Sequence, residues 1–333
     1  MLKPARGQGR YNAHFTELEP PEQETMPATY VSMDGKLVAE ESATVHVSSP
    51  ALRFGAHLFE GIRGYWNKEL GELFVFRLDE HLDRLRQGMK VMRYERIPEV
   101  DELRTQVLDV IRANEHDTDI GIRLSAYVLG RGFIDAAGPV SIMCATDATP
   151  ARTLAEHTTT ALVTSWQRIS DHAMPARLKC AANYQNSRLG LMQARAAGYD
   201  EAIFLTPEGK VAEGAGACLF MIRKGVPSTP PTSAGILESV TRDTMIELFA
   251  ERGAHPVAER TIDRSELYMS EELFFCGSTY EVSPVVAVDG IDIGSGAPGP
   301  VAAEVWAWYE GVIRGTDSSH PAWRTPVYGR QPL

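Results

Sequence analysis

The pattern of apolar and polar residues predicts pairs of strands near the start of the chain. The segments YVSMDGKLV and ATVHV alternate apolar and polar side chains, and the turn residues Asp34 and Gly35 divide the first of them. GYWNKELGELFVFRL repeats the same hairpin pattern further along. We therefore expect short antiparallel strands from about Tyr30 onward.

Two amphipathic helices are predicted to follow these strands. Leu82, Leu85, Met89 and Met92 recur at steps of three and four residues, and Asp79 precedes them where a helix would begin. The segment VDELRTQVLDVIRANE has the same spacing. The predicted strands GIRLSAYVLGRG and VSIMCATD come next. The first half of the chain is thus predicted to be an α/β unit.

A loss of periodicity around DATPARTLAEHTT marks a boundary between two domains. After it we expect the strand TALVTSW, a helix from about Tyr184 to Ala197 that ends at Gly198, and the hairpin EAIFLT-PEGK-VAE. A strand ACLFMI, a proline-rich loop, the helix TRDTMIELFAERG and the strands ELFFCG and VSPVVAVDG complete the second half. The predicted bounds are an N-terminal extension over 1–28, a small domain over 29–148, a linker over 149–158, a large domain over 159–315 and a C-terminal tail over 316–333.

Composition limits the classes of function that the chain can serve. Its 333 residues, 44% of them hydrophobic, suffice for one large or two medium globular domains with cores. The formal net charge is −11 and no basic run occurs, whereas binding to nucleic acid requires clustered lysine and arginine to neutralise phosphates. We therefore expect no nucleic-acid partner.

Compartment is predicted from the apolar runs and the cysteines. No apolar run reaches the ~18 residues of a membrane span, and the N-terminus lacks the apolar region of a secretory signal. Cys144, Cys180, Cys218 and Cys276 lie far apart and form no CxxC pair. That spacing is typical of reduced, buried thiols rather than of a disulfide framework or a metal site, so we expect a cytoplasmic protein without a membrane partner.

Lys179 is the lysine whose surroundings require an explanation. The lysines of the segments DGK, NKEL, PEGK and RKG lie in turns, where solvation accounts for them, but Lys179 stands between Leu178 and Cys180 with no turn signal. Apolar surroundings disfavour the ammonium form of a lysine and leave a free amine, which can attack an aldehyde or act as a base. A lysine whose stem packs while its ammonium reaches water remains the alternative.

Three further groups would complete a site for a cofactor aldehyde such as pyridoxal phosphate. Gly235, Ser239 and Thr241 stand where a helix begins, and its free N–H groups could hold a phosphate, although an ordinary helix cap remains the alternative. Glu213 ends a short strand and could pair with a pyridine nitrogen, or it could be a solvent-exposed hairpin residue. Tyr184 could supply a hydroxyl near the ring.

Six motifs follow one another along the chain: FEGIRGY (59–65), FRLDEHLDRL (76–85), LKCAANY (178–184), GYDEAIFLTPEGKVAEGAG (198–216), ILESVTRD (236–243) and CGSTYEVSPV (276–285). In this order and spacing they resemble the fold-type IV pyridoxal-phosphate enzymes, and specifically the branched-chain amino acid aminotransferase family of class IV. The resemblance covers about residues 30 to 310. It implies an α/β (α+β) fold like that of D-amino acid aminotransferase, with a small N-terminal domain and a larger C-terminal domain that binds the cofactor.

The resemblance also implies a role for each matching residue. Lys179 would be the Schiff-base lysine, Glu213 the partner of the pyridine nitrogen and Arg84 the arginine on the cofactor phosphate. Tyr184 would hydrogen-bond the phenolic oxygen of the ring. The other implied phosphate-binding residues are Ser239, Val240, Thr241 and Ser278. The implied substrate-binding residues are Phe54, Phe59, Gly61, Arg63, Gly121, Arg123, Thr279 and Tyr280.

Four departures from the family pattern concern the substrate. Phe54 lacks the phenol that the family usually has before glycine, and Gly121 replaces a tyrosine two residues before Arg123. Tyr280 adds a phenol where the family often has a methyl group, and Cys218 stands where asparagine is usual. Because an unpaired buried group weakens binding, these changes predict an enlarged or unusual substrate.

The implied reaction moves an amino group from an amino acid, L-configured and branched-chain-like or specialised, to a 2-oxo acid such as 2-oxoglutarate. The family implies a homodimer in which a loop of the partner helps to close each site. A D-amino acid or (R)-amine transaminase, or a lyase of the aminodeoxychorismate type, remains an alternative on the same fold, although Arg123 and the FEGIR motif argue against it. A non-catalytic binding protein would be expected to lack Lys179 or Glu213, and both are present.

Overall fold

Two β-sheets with helices packed around them make up the structure, a computed structural model that describes residues 29 to 329. The strands are β1 (Tyr30–Met33), β2 (Lys36–Ala39), β3 (His57–Asn67), β4 (Glu72–Phe76), β5 (Ile120–Val128), β6 (Val140–Ala148), β7 (Thr159–Gln167), β8 (Glu201–Leu205), β9 (Val211–Gly214), β10 (Cys218–Arg223), β11 (Val226–Thr229), β12 (Ala258–Glu259), β13 (Glu272–Gly277), β14 (Glu281–Val288), β15 (Ile291–Asp292) and β16 (Arg324–Pro326). The α-helices are α1 (Pro50–Phe54), α2 (Leu78–Val91), α3 (Val100–Ala113), α4 (Tyr184–Ala196), α5 (Val240–Arg252), α6 (Arg264–Leu267) and α7 (Pro300–Arg314). The predicted N-terminal extension over 1–28 lies outside the described residues.

The first sheet is antiparallel, with the strand order β16-β4-β3-β5-β6-β1-β2. The predicted hairpins β1–β2 and β3–β4 are both present in it. The two predicted amphipathic helices are also present, and α2 and α3 pack on this sheet. Leu82 and Met89 on α2 and Val107 on α3 are fully buried, because residues three and four apart share one helix face.

The strand predicted over ATVHV is absent, and that prediction is wrong. Residues 43–47 have no strand hydrogen bonds, and Val45 and Val47 are 42% and 71% exposed. The edge strand β2 ends at Ala39 and a short 3₁₀ turn follows, so the segment leaves the sheet. Alternation of apolar and polar residues does not form a strand when no neighbouring strand offers hydrogen bonds.

The second sheet is mixed, with the order β12-β11-β10-β13-β14-β7-β8-β9 and with β15 paired to β14. Helix α4 packs on β7 and β8, and α5 and α7 pack against β13. Tyr65 and Phe76 of the first sheet share one buried cluster with Phe220 of the second sheet and Tyr309 of α7. This shared core fixes the two sheets against each other.

Helix α7 and the strands β11 and β16 are among the elements that were not predicted from the sequence. Helix α7 buries Val305, Tyr309 and Val312 on one face, and β11 lies within the predicted proline-rich loop. Within the predicted C-terminal tail, β16 pairs with β4 and so belongs to the first sheet. A three-residue strand carries too short a pattern to be recognised. Its partner β4 also lies far away in sequence. The predicted bounds of the domains and of the linker stay predictions.

Within residues 29 to 329, none of the helices has both the length and the apolar character that crossing a bilayer requires.

Candidate active site

One cavity of about 260 Å³ brings together residues from both sheets. Phe59 and Gly61 of β3 and Arg84 of α2 line it from the first half of the chain. Lys179 and Glu213 line it from the second half. Residues that are distant in sequence thus meet in one enclosed space, which the motif order alone could not establish.

Lys179 lies in an extended segment just before α4. Its carbonyl accepts a hydrogen bond from the Phe59 amide at 3.0 Å, which ties this segment to β3. Its ammonium nitrogen Nζ donates to the hydroxyl of Tyr184 at 2.8 Å. Nζ also lies 5.3 Å from the ring centroids of both Phe59 and Tyr184. The amine therefore faces the cavity between two aromatic rings rather than bulk solvent.

Glu213 lies near the end of β9 and is only 5% exposed, so the alternative of a solvent-exposed hairpin glutamate is wrong. Its Oε1 lies 2.5 Å from the guanidinium of Arg168. Its Oε2 accepts from the Leu237 amide at 3.2 Å and lies 3.7 Å from the Cys218 thiol. A carboxylate with this many partners has a fixed orientation toward the cavity.

Arg168 is a cavity residue that the sequence reading missed. It follows directly after β7, is 7% exposed, and donates from Nε to the Gly235 carbonyl at 3.0 Å. A buried arginine beside a buried glutamate forms a charge pair, and each partner is costly to remove alone. The only signal in the sequence was an isolated arginine after the apolar strand TALVTSWQ.

Arg84 is held by a second buried acid, Glu60. The Arg84 Nε and Nη2 atoms donate to Glu60 at 2.9 and 2.5 Å, and Nη1 donates to the Glu238 carbonyl at 2.6 Å. The Nδ1 atom of His81 lies 2.8 Å from the same carboxylate. Burial alone would raise the pKa of Glu60, but Arg84 and His81 outweigh burial and lower it to about 2.

Strand alternation explains why Glu60 faces α2 while its neighbours line the cavity. Phe59 and Gly61 lie on one face of β3, and Glu60 lies on the other. His81 and Arg84 are three residues apart on α2, so both side chains reach the same carboxylate. Glu60 and His81 belong to quoted motifs, but the sequence reading gave them no role.

The start of α5 contains the residues that were predicted to bind a phosphate. Ser239 is the N-cap and its hydroxyl accepts from the Arg242 amide at 3.3 Å, so the ordinary capping role is also present. Ser239, Val240 and Ser278 line the cavity. Thr241 is 2% exposed and lies behind these residues rather than at the cavity surface.

The predicted substrate-binding residues divide into two groups. Those that line the cavity are Phe59, Gly61, Arg123, Thr279 and Tyr280. Phe54, Arg63 and Gly121 do not line it. Arg63 lies on the same face of β3 as Gly61 but two residues further along, where it pairs with buried Glu281 at 3.3 Å. In this structure Arg63 forms a buried ion pair that joins the first and second halves of the chain.

Comparison with known proteins gives the class of the chain. The model of the family "Amino-transferase class IV" matches residues 57–288. The chain belongs to the class IV aminotransferases, and it is therefore an enzyme of the transaminase type. The predicted fold class is confirmed by this match and by the solved structures described next.

Curated relatives and solved structures make the match more specific. A probable branched-chain-amino-acid aminotransferase of Aquifex aeolicus is 35% identical over 90% of this chain and 97% of its own length. The branched-chain-amino-acid aminotransferase of Escherichia coli K12 is 36% identical over 91% and 99%. The crystal structure of a branched-chain aminotransferase from Thermoproteus uzoniensis with norvaline has a TM-score of 0.85 and 38% identity, covering 90% of this chain and 100% of that one. The resemblance found in the motifs is confirmed.

The cofactor of class IV aminotransferases is pyridoxal phosphate, and the cavity has the groups that this molecule requires. One similar structure, from Thermobaculum terrenum with 39% identity and a TM-score of 0.83 over 90% of this chain and 98% of that one, is described as a PLP form. In the present cavity an amine, a buried carboxylate, an arginine and a helix N-terminus surround one space. The amine suits an aldehyde, the carboxylate suits a protonated ring nitrogen, and the arginine and the helix N-terminus suit a phosphate.

Proposed function

We propose that this chain transfers the amino group of an L-amino acid with a branched-chain-like or specialised side chain to a 2-oxo acid such as 2-oxoglutarate. In this proposal Lys179 binds the aldehyde of pyridoxal phosphate as a Schiff base. The observation that carries it is the cavity in which Lys179, Glu213 and Arg84 converge, each held by a neighbouring polar group. Three groups with three distinct tasks occupy one space of cofactor size.

Three residues of the chain have separate roles in the proposed reaction. When bound, pyridoxal phosphate supplies an aldehyde for amines and a ring that accepts electrons from the substrate Cα. Glu213 would hold a proton on the ring nitrogen, and the Tyr184 hydroxyl would donate to the phenolic oxygen. The Nζ atom of Lys179, as a free amine, would take the proton from the substrate Cα and return it to the former aldehyde carbon of the cofactor.

In this proposal Arg84 and the N-terminus of α5 bind the phosphate. Arg84 is kept charged and oriented by Glu60, so its guanidinium offers fixed donors. The N-terminus of α5 adds backbone donors and the positive end of the helix dipole. The residues assigned to the phosphate with Arg84 are Ser239, Val240 and Ser278, which line the cavity, and Thr241, which lies behind them and could contribute only its backbone amide in the first turn of α5.

The assignment of the substrate is supported by the relatives and by Arg123. The curated relatives are named branched-chain-amino-acid aminotransferases, and a similar Thermus structure is complexed with N-(5'-phosphopyridoxyl)-L-glutamate. The guanidinium of Arg123 lies 4.2 Å from the ring centroid of Phe59 at the cavity. A cation there suits a substrate carboxylate. We further assign substrate contacts to Gly61 and to Thr279.

We also propose that the enzyme acts as a homodimer in the cytoplasm. Val47, Leu52 and Phe54 are 71%, 64% and 38% exposed, an apolar surface that suits a second copy. Three predicted substrate residues lie outside the cavity of one protomer: Phe54, Arg63 and Gly121. In a dimer they would act on the substrate indirectly or from the other protomer. The free and buried cysteines suit a reducing compartment.

Reductive trapping tests the Schiff base directly. The protein would be loaded with pyridoxal phosphate, reduced with borohydride and digested, and the peptides weighed by mass spectrometry. We expect one adduct per chain on Lys179, and none in Lys179→Ala. The matched control is Lys210→Ala, because Lys210 makes a surface ion pair with Asp263. Full trapping in Lys179→Ala would contradict the proposal.

A further inference from the structure

Thr279 and Tyr280 separate the candidate active-site cavity from a second cavity. This side chamber measures about 370 Å³, and Arg152, His157 and Glu201 contribute to its lining. Thr279 and Tyr280 form the turn between β13 and β14 and line both cavities. A substrate group that passed this wall would enter a polar space larger than the active-site cavity itself.

Tyr280 is held in place at three points. Its hydroxyl donates to Glu201 Oε1 at 2.7 Å, and its carbonyl accepts from the Ser283 hydroxyl at 2.7 Å. Its ring lies edge-on to Phe275, with 6.3 Å between the centroids. Because moving the ring would break the bond to a buried carboxylate, Tyr280 acts as a fixed wall rather than as a mobile side chain.

Gly216 provides the space that the tyrosine ring occupies. A Cβ atom added at Gly216 would lie 3.4 Å from the ring and 3.5 Å from the hydroxyl of Tyr280. Both residues line the active-site cavity. The ring therefore rests against bare backbone, and the boundary of the cavity at this point is set by the size of residue 280.

Glu201 determines whether the Tyr280 phenol can donate a hydrogen bond to a substrate. Glu201 is 9% exposed, and within residues 29–329 its Oε2 atom has no hydrogen-bond partner. Burial raises the pKa of Tyr280 and that of Glu201. The phenol consequently stays protonated and donates a hydrogen bond to Glu201. Its oxygen therefore presents only lone pairs to the cavity. A substrate carboxylate would find no donor there.

We infer that Tyr280, held by Glu201, is a specificity-determining residue that closes the active-site cavity toward the side chamber. This inference rests on the proposed transaminase function. It limits the substrate to L-2-amino acids whose side chain ends before the wall, and it excludes long unbranched chains. The phenol does not bind the substrate carboxylate, which leaves that task to Arg123.

A substrate-length series tests the inference. The parent enzyme, Tyr280→Ala and Tyr280→Phe would be assayed with L-norvaline, L-norleucine and L-2-aminooctanoate, and kcat/KM compared within each enzyme. We expect Tyr280→Ala to raise the ratio of the longest to the shortest substrate by about tenfold or more, because the ring no longer excludes the longest chain. Tyr280→Phe keeps the size of the ring while losing the bond to Glu201, so its ratio is expected to stay within about threefold of the parent's.

Two further measurements keep the test decisive. Tyr280→Val serves as a second opened variant, and thermal unfolding with bound cofactor identifies any variant that fails to fold. The dissociation constant of 2-oxooctanoate, measured by calorimetry, is expected to fall in both opened variants. An unchanged ratio in folded, cofactor-loaded Tyr280→Ala and Tyr280→Val would overturn the inference alone. A parent enzyme that converts neither L-norvaline nor L-leucine would overturn the proposed function as well.

Discussion

The two ends of the active-site cavity are built differently. At the end that we assign to the cofactor, two charged groups have a buried partner of opposite charge: Arg84 has Glu60, and Glu213 has Arg168. At the end that we assign to the substrate, Arg123 and Thr279 are exposed and Tyr280 is half-buried. The cofactor end is thus preorganised within one chain, whereas the substrate end is shaped by single side chains. This contrast suits an enzyme class in which the chemistry is shared and the substrate varies.

The largest effect on kcat is expected from a substitution of Glu213. Glu213→Gln removes the charge that we assign to the ring nitrogen, so we expect kcat to fall by about 10²–10⁴-fold while the protein still binds pyridoxal phosphate. Single-turnover measurement of α-proton release would record the change. Glu238→Gln is the matched control, because Glu238 makes an exposed pair with Arg177, and such pairs contribute little. Equal rates for Glu213→Gln and the control would refute the role of Glu213.

A second test separates structural support from cofactor binding at the phosphate end. Glu60→Ala leaves Arg84 and His81 buried without their carboxylate, so we expect the cofactor-free protein to lose about 3–5 kcal/mol of stability. A bound phosphate would return a negative charge to Arg84, and the loss should be smaller in the loaded protein. Denaturant unfolding with and without pyridoxal phosphate measures both values. An equal loss in the two forms would mean that Arg84 does not contact the phosphate.

The same carboxylate predicts a dependence on pH. Since the folded state lowers the pKa of Glu60 from 4.5 to about 2, Glu60 contributes stability above pH 4.5, and that contribution is lost as the pH falls toward 2. The difference in unfolding free energy between the parent and Glu60→Gln should therefore shrink below pH 4.5. A difference that stays constant from pH 7 to pH 3 would contradict this assignment.

A smaller effect is expected from the residue that orients Glu213. Arg168→Lys keeps the charge but loses the planar donors that reach both Glu213 and the Gly235 carbonyl. We expect kcat to fall about tenfold, which corresponds to one lost charged hydrogen bond. The absorption spectrum of the bound cofactor should shift with it, whereas a purely structural role would lower the melting temperature and leave the spectrum unchanged.

Local patterns made part of this structure predictable. Helix α2 could be predicted because Leu82, Leu85 and Met89 lie on one face within a few turns, and the helix in turn positions Arg84. Lys179 and Glu213 could be singled out because their neighbours and motifs are local. The failure at ATVHV shows the limit of such patterns, since a strand also requires a partner.

Partners distant in sequence could not be predicted. Arg168 and Glu213 lie on separate elements, and nothing in either segment indicates that they meet. The same holds for Glu60 and α2, for Tyr280 and Glu201, and for β16, which completes a sheet formed mainly by the first half of the chain. Residue types fix what each side chain can do, but the tertiary fold decides which neighbour holds it.

One measurement tests the proposed reaction most directly. The protein loaded with pyridoxal phosphate would be mixed separately with L-leucine, L-glutamate, D-alanine and an (R)-amine, and the visible absorption of the cofactor followed in each cuvette. We predict that L-leucine and L-glutamate convert the cofactor to its amine form, and that D-alanine and the (R)-amine leave the spectrum unchanged. Conversion by D-alanine or the (R)-amine, with no response to either L-amino acid, would contradict the account.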